Sequence, residues 1–256
     1  TNAYYRDQSA WYHFHVIFDT TNGTEADRIQ MHVNGTRLTD FKTANYPTSS
    51  QDLELNSSSA TFNLAARNGD EQWKGYMAEV VWLDGTASAV TNFGEFDEDS
   101  PNIWKPINVS GLPFGTNGFY LDFEDSSNLG NDVSGGTDFT ETNLAATDQS
   151  TDTCTNNYNT MNALENYFGA QTYSEGNLKS VSPSGNAAAP IGTIGVSNGR
   201  WYAEAKLTNQ SSNQTLIGIS SNYATQADFH LGRGATSYGM YSNGGAYYVN
   251  NGSANA

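Results

Sequence analysis

Hydrophobic and polar positions alternate along Trp11–Phe18 and again along Arg28–Val33, the period-two signature of strands. In the first run Tyr12, Phe14, Val16 and Phe18 share one face, and Trp11, His13, His15 and Ile17 share the other. In the second, Ile29, Met31 and Val33 alternate with Arg28, Gln30 and His32. Asp19 opens a polar loop between them, so the pattern predicts a long β-hairpin over Ser9–Gly35 with its apolar face turned to a core. Asn34-Gly35 accepts positive φ at low cost and predicts a tight turn into a third strand, Thr36–Phe41. A sheet with one apolar face needs a second layer, which points to a sandwich.

The same reading continues along the chain. Thr61–Ala65 is expected to be a strand with Phe62 and Leu64 on one face, and Trp73–Leu83 a longer one closed by the Asp84-Gly85 turn. Phe119–Phe123 reads as a short strand inside an acidic, loop-rich stretch. Leu129–Glu175 has loop composition, with a short helical turn at Met161–Phe168. Gly199–Leu207 alternates well and takes Thr215–Ser220 as its expected partner. The expected fold is all-β: two tandem antiparallel sandwiches over residues 1–89 and 176–256, joined by a connector over 90–175. The first core or its faces are expected to include Trp11, Phe14, Val16, Ile29, Met31, Val33, Tyr76, Val80 and Trp82.

Several of these strings resemble a known family. Trp-Tyr-His, an Asp-led loop and an apolar strand ending in Val-Asn-Gly resemble the laminin-G-like, concanavalin-like jelly roll, as does Trp73–Val80 with its Tyr-Met-Ala-Glu-Val ending. The branch most closely resembled is the sandwich module of tailed-phage structural proteins, chiefly tail fibres. There the jelly roll precedes a connector matched here by Phe93–Asp97, Trp104–Pro106 and Gly115–Phe123. A Thr-Asp-Thr segment of that connector is also matched, with Cys154 where the pattern has Pro. Gly199-Arg200-Trp201-Tyr202, followed by a Gly-Ile strand, resembles the opening of a SPRY-type sandwich.

Each resemblance covers only part of its module, so both ends read as cuts and a longer polypeptide is expected. The resemblance implies a structural and adhesion protein of the virion, in a tail or capsid fibre. It further implies a homo-oligomer, trimers above all, with other virion proteins as neighbours and host surface glycans as contacts. A jelly-roll polysaccharide hydrolase or depolymerase is the alternative, and a secreted bacterial surface adhesin shares the modules.

Composition sharpens this in three places. Of 256 residues, 32 are Phe, Tyr or Trp, which suits strands. Acidic residues outnumber basic ones 27 to 11, a formal charge of −16 that opposes nucleic-acid wrapping and anionic lipid. No window approaches the roughly 18 apolar residues of a spanning helix, so helical membrane insertion is not expected. Cys154 is the single cysteine, which rules out an intrachain disulfide and leaves packing to hold the fold.

Candidate chemistry is sparse. His13, His15 and, across the hairpin, His32 fall on one sheet face, where three imidazoles suit Zn²⁺ with an open fourth position. The same residues read as ordinary polar or interface positions, the preferred reading. Asp19, Asp27 and the Asn22-Gly23 loop offer oxygens for Ca²⁺, which lectin-like jelly rolls often hold at such a rim. A plain turn is preferred there too, and no cofactor is otherwise called for. Glu95-Phe96-Asp97-Glu98-Asp99 loosely resembles the paired-carboxylate strand of jelly-roll glycosidases, whose two carboxyls stand about 5–5.5 Å apart in retaining enzymes. The third position of that pattern falls on Asp99 or Ser100 and not on a Glu, and the run follows a Gly and precedes Ser100-Pro101, so it is expected to be a solvated acidic loop, with no catalytic residue and no enzyme activity. Tyr238, Tyr241, Tyr247 and Tyr248 stud a Gly-rich segment and suit sugar stacking, although the same spacing fits strands.

Overall fold

Most of the alternating segments form strands, and the protein is all-β, with no helix beyond three-residue turns among the described residues. The computed structural model describes residues 5, 10–53, 55, 62–67, 72–163, 171–182, 189–209, 215–221, 231, 236–242, 246–250 and 253–255. The chain divides into two compact units, Thr1–Tyr158 and Asn159–Ala256.

In the first unit β1 (Phe14–Phe18) pairs antiparallel with β2 (Ile29–Val33), in a register that sets Phe14 opposite Val33 and His15 opposite His32. Asn34 and Gly35 both take positive φ, 47° and 73°, and turn the chain into β3 (Thr36–Arg37). The hairpin and its turn thus follow the pattern, with the first arm three residues and the second one residue shorter than expected. β4 (Val80–Trp82) pairs with β7 (Phe119–Leu121), and β5 (Gly94–Phe96) with β6 (Trp104–Pro106). The stretch expected as a connector therefore supplies three strands to this unit. Among the described residues of this unit, Val33, Val109, Phe119, Leu121 and Leu129 are buried and apolar.

Several expected strands are shorter or absent, each for a local reason. Trp73–Leu83 is extended pairing only from Val80, because Glu79 sits at φ 53° and breaks the pleat. Phe123, at φ 59°, ends β7 in the same way. Residues 62–65 form no strand, and Thr61 lies outside the described residues, as do 164–168 of the expected helical turn. Glu95 and Phe96, expected in a loop, belong to β5, whose ladder with β6 holds them.

Val33 is buried as expected, but most of the rest of the hairpin's apolar face is turned outward, against the hydrophobic pattern. Phe14, Val16, Phe18 and Met31 are exposed, Phe14 by 58%, whereas His15 and His32 are buried. Tyr76, expected in the core, is exposed as well, and Trp11, Ile29, Val80 and Trp82 are half-buried. The physical reason lies in the partners of the histidine face: Phe93 and Trp104 pack on it and make it the inner one.

In the second unit β8 (Thr172–Ser174) and β9 (Lys179–Val181) form a hairpin whose turn residues Glu175, Gly176 and Asn177 all have positive φ. β10 (Thr215–Ser220), β11 (Ser237–Ser242), β12 (Ala246–Asn250) and β13 (Ser253–Asn255) make a four-stranded antiparallel meander. β10 takes β11 as its described partner, not 199–207. That register places Ile217 opposite Met240 and Ile219 opposite Tyr238, apolar cross-strand pairs of the kind that stabilise a ladder. Residues 201–209 form no strand, and Trp201 and Tyr202 are exposed by 67% and 84%.

Candidate functional site

The three histidines do meet on one face, as an aromatic cluster. Nδ1 of His15 lies 3.3 Å from Nδ1 of His32, so one ring donates and the other accepts. The His13 ring stacks on His15 with centroids 6.3 Å apart, and on Trp104 at 5.7 Å. Trp104 Nε1–H donates to His13 Nδ1 at 3.1 Å, which puts the His13 proton on Nε2. The His15 ring also bonds the Ser88 backbone.

Burial, then repulsion from the neighbouring histidines, pushes the His15 pKa down to about 4. His13 is lowered by burial and by His32, and His32 by burial and by Arg37. The imidazoles are thus held neutral and packed like other aromatic rings. A Cβ on Gly35 would stand 2.3 Å from the Trp104 ring and one on Gly94 2.5 Å, so the indole lies in a slot that only glycine leaves open. Among the described residues no three His, Cys, Asp or Glu side chains converge as a metal-ligand group.

Asp19 and Asp27 are held by local partners. Asp19 Oδ1 accepts from Thr21 N and Oγ1, at 3.1 and 2.6 Å, as a turn-forming side chain does. Asp27 Oδ1 pairs with Arg37 Nη2 at 2.5 Å. The acidic run is occupied as well: Lys105 Nζ lies 3.3 Å from Glu95 and 3.6 Å from Asp97. Asp97 Oδ1 also caps the turn by accepting from the backbone of Asp99 and Ser100. Tyr238 is half-exposed on β11, and the register sets positions 238 and 248 on one face of the meander and 241 and 247 on the other. The four positions therefore do not make one platform.

Sequence reasoning missed a cleft beside the β4–β7 pair. It has a volume of about 290 Å³ and is lined by Phe62, Trp82, Phe119, Phe139, Asn117 and Asp132, among others. Trp82 and Phe119 are cross-strand partners with nearly parallel rings, 9° apart. Phe62 stands edge-on to both at 5.6 Å, and Phe139 edge-on to Phe119 at 4.8 Å.

Asp132 reaches this cleft from the loop after β7. Its Oδ1 accepts from Tyr120 N, Ser134 N and Ser134 Oγ, all within 3.0 Å. The only advance signal was the Asp-Val-Ser-Gly-Gly string, which reads as a loop. A second unforeseen anchor is Asp152, which accepts from Trp11 Nε1 at 3.0 Å and from Tyr158 N at 2.7 Å. Comparison of the chain with protein-family models, with curated proteins and with solved structures finds no match.

Proposed function

We propose that this protein is a non-enzymatic structural and adhesion component of a virion fibre, assembled as a homo-oligomer, trimers above all. The observation that carries the reading is the open apolar face of the β1–β2 pair, where Phe14, Val16, Phe18 and Met31 are each more than 40% exposed. Contiguous exposed apolar surface marks an interaction site, and a fibre protomer needs such a face for its neighbours. With a net charge of −16, self-association is opposed everywhere except through apolar area of this kind.

Host contact through glycans is supported by aromatic side chains that are exposed yet tethered. Trp201 Nε1 donates to Asn198 O at 2.8 Å, and Tyr202 OH to Glu204 at 2.6 Å. Held rings lose little freedom on binding, and repetition in an oligomer multiplies weak contacts. The hydrolase alternative loses support because Glu95 and Asp97 share Lys105 instead of flanking a cleft as an acid and a nucleophile.

Mass photometry across nanomolar to micromolar concentration, with a glycan array in parallel, tests the reading. A concentration-dependent oligomer that Phe14→Asp dissociates, and glycan binding that Trp201→Ala weakens, are expected. A monomer at all concentrations would overturn the assembly, and depolymerisation of a host polysaccharide lost in Glu95→Gln would overturn the non-enzymatic role.

A further inference from the structure

We propose that the cleft between Phe62, Trp82, Phe139 and Asp132 is a binding site for an organic ammonium group. Asp132 is only 5% exposed, and while its Oδ1 takes three hydrogen bonds, its Oδ2 accepts none from any described residue. Asp132 lines the cleft together with Gly136, and a Cβ on Gly136 would come within 2.1 Å of Oδ2. The carboxylate is therefore rigidly placed through Oδ1, while Oδ2, unpaired among the described residues, is not sealed off and keeps access to solvent. A fixed carboxylate with one oxygen left open, set among aromatic walls, offers a cation or a strong donor a ready partner.

Neighbouring charge selects the cation. Asp84 holds Asn117 at the rim through two bonds to its Oδ2, at 3.2 and 2.8 Å. Asp138 Oδ1 accepts from the backbone N of Asp132 at 3.0 Å. Among the described residues no lysine or arginine pairs with Asp84, Asp132 or Asp138. The remaining walls are aromatic, and ring faces attract cations, quaternary ammonium above all. A volume of about 290 Å³ lies at the lower end of small-molecule pockets, roughly 300–1,000 Å³, and suits a head group, not an extended chain. A lipid or polymer head group such as choline and the amine of an amino sugar share this chemistry. The inference stands apart from the assembly reading, because the cleft does not involve the β1–β2 face.

The test is binding of choline, tetramethylammonium and glucosamine to the full chain. Titration calorimetry and saturation-transfer NMR would report it, with 3,3-dimethylbutanol as the neutral isostere of choline and glucose as that of glucosamine. At least one amine should bind at least tenfold tighter than its neutral isostere, with an affinity that falls as salt rises. Asp132→Asn should remove that preference. Because Asp132 also holds Tyr120 and Ser134, the half-exposed Phe62→Leu provides a second variant, expected to weaken the amine at least threefold without lowering the melting temperature. Preference for choline over glucosamine assigns a quaternary head group, and the reverse an amino sugar. Equal binding of amine and isostere, binding of glucose alone, or binding of none would overturn the proposal.

Discussion

Trp104 donates its indole N–H to Nδ1 of His13 at 3.1 Å across 91 residues of sequence, and this bond ties β6 to the first hairpin. The indole is seated between Gly35 and Gly94, with Phe96 edge-on at 5.0 Å. Trp104→Phe keeps most of the ring and loses the donor, and is expected to cost about 1 kcal/mol. Trp104→Ala leaves the slot empty and should cost about 3 kcal/mol. Gly94→Ala drives a methyl group into the ring and should cost about 1–3 kcal/mol. Urea midpoints measure all three, and a wild-type midpoint for Gly94→Ala would refute the slot.

The histidine cluster makes stability depend on pH. His15 titrates near 4 when folded and near 6.5 when unfolded, so between those values the unfolded chain carries a proton that the folded chain refuses. Its contribution is therefore fully present above pH 6.5, declines as pH falls towards 4 and is level below that. The loss is at most about 3 kcal/mol, from 1.36 kcal/mol per unit of pKa. His13 and His32 are lowered too and act in the same sense. Asp125 and Asp138, held below the ordinary carboxylate value by hydrogen bonds from Ser127 and from the Asp132 backbone respectively, act only at more acid pH. Denaturant unfolding between pH 7.5 and 4.5 should show the decline, and His15→Gln should flatten it. A flat wild-type profile would show the imidazoles to be solvated.

Alternation made the first hairpin legible, along with its Asn34-Gly35 turn and short strands at Val80, Phe119 and Thr215, because period and turn chemistry are local. It did not reveal which face of the hairpin is inner. Scoring His13, His15 and His32 as polar assigned that face to solvent, yet three clustered imidazoles kept neutral pack like phenyl rings once Trp104 and Phe93 cover them. Positive φ at Glu79 and Phe123 was equally hidden, since neither residue favours that conformation. The cleft was illegible because its walls come from residues 62, 82, 119, 132 and 139, which only tertiary pairing brings together.

The outward turn of the hairpin's apolar face changes what truncation of Phe14 should do. With Phe14 58% exposed, Phe14→Ala should cost the isolated protomer less than about 1 kcal/mol, well below the 3–5 kcal/mol of a buried phenylalanine. In an oligomer packed through that face, the same substitution should lower the midpoint more at high protein concentration than at low, because association contributes to stability by mass action. Thermal melts at two concentrations a hundredfold apart separate the cases. A loss of several kcal/mol that is the same at both would place Phe14 inside the protomer.

Glu79 accepts a short hydrogen bond from Tyr120 OH, which joins the residue before β4 to the middle of β7. Burial first, then that bond and the Glu79 charge, pushes the Tyr120 phenol well above its ordinary value, so it remains a donor throughout the neutral range. Phe114 stacks on the same ring at 6.1 Å, and Tyr120→Phe should preserve that stacking. The cost of Tyr120→Phe is then the lost charge-assisted bond and the stranded carboxylate, about 1.5–3 kcal/mol. Glu79→Gln retains an acceptor and should cost less, and the double variant should cost less than the two singles added together, which a double-mutant cycle measures. The cycle has an independent readout in Cys154, whose thiol is pushed up by burial and by the Glu79 charge. Glu79→Gln should therefore speed alkylation of the folded protein near neutral pH, since the thiolate is the reactive form. Additive energies with an unchanged alkylation rate would show that Glu79 faces solvent and holds neither Tyr120 nor Cys154.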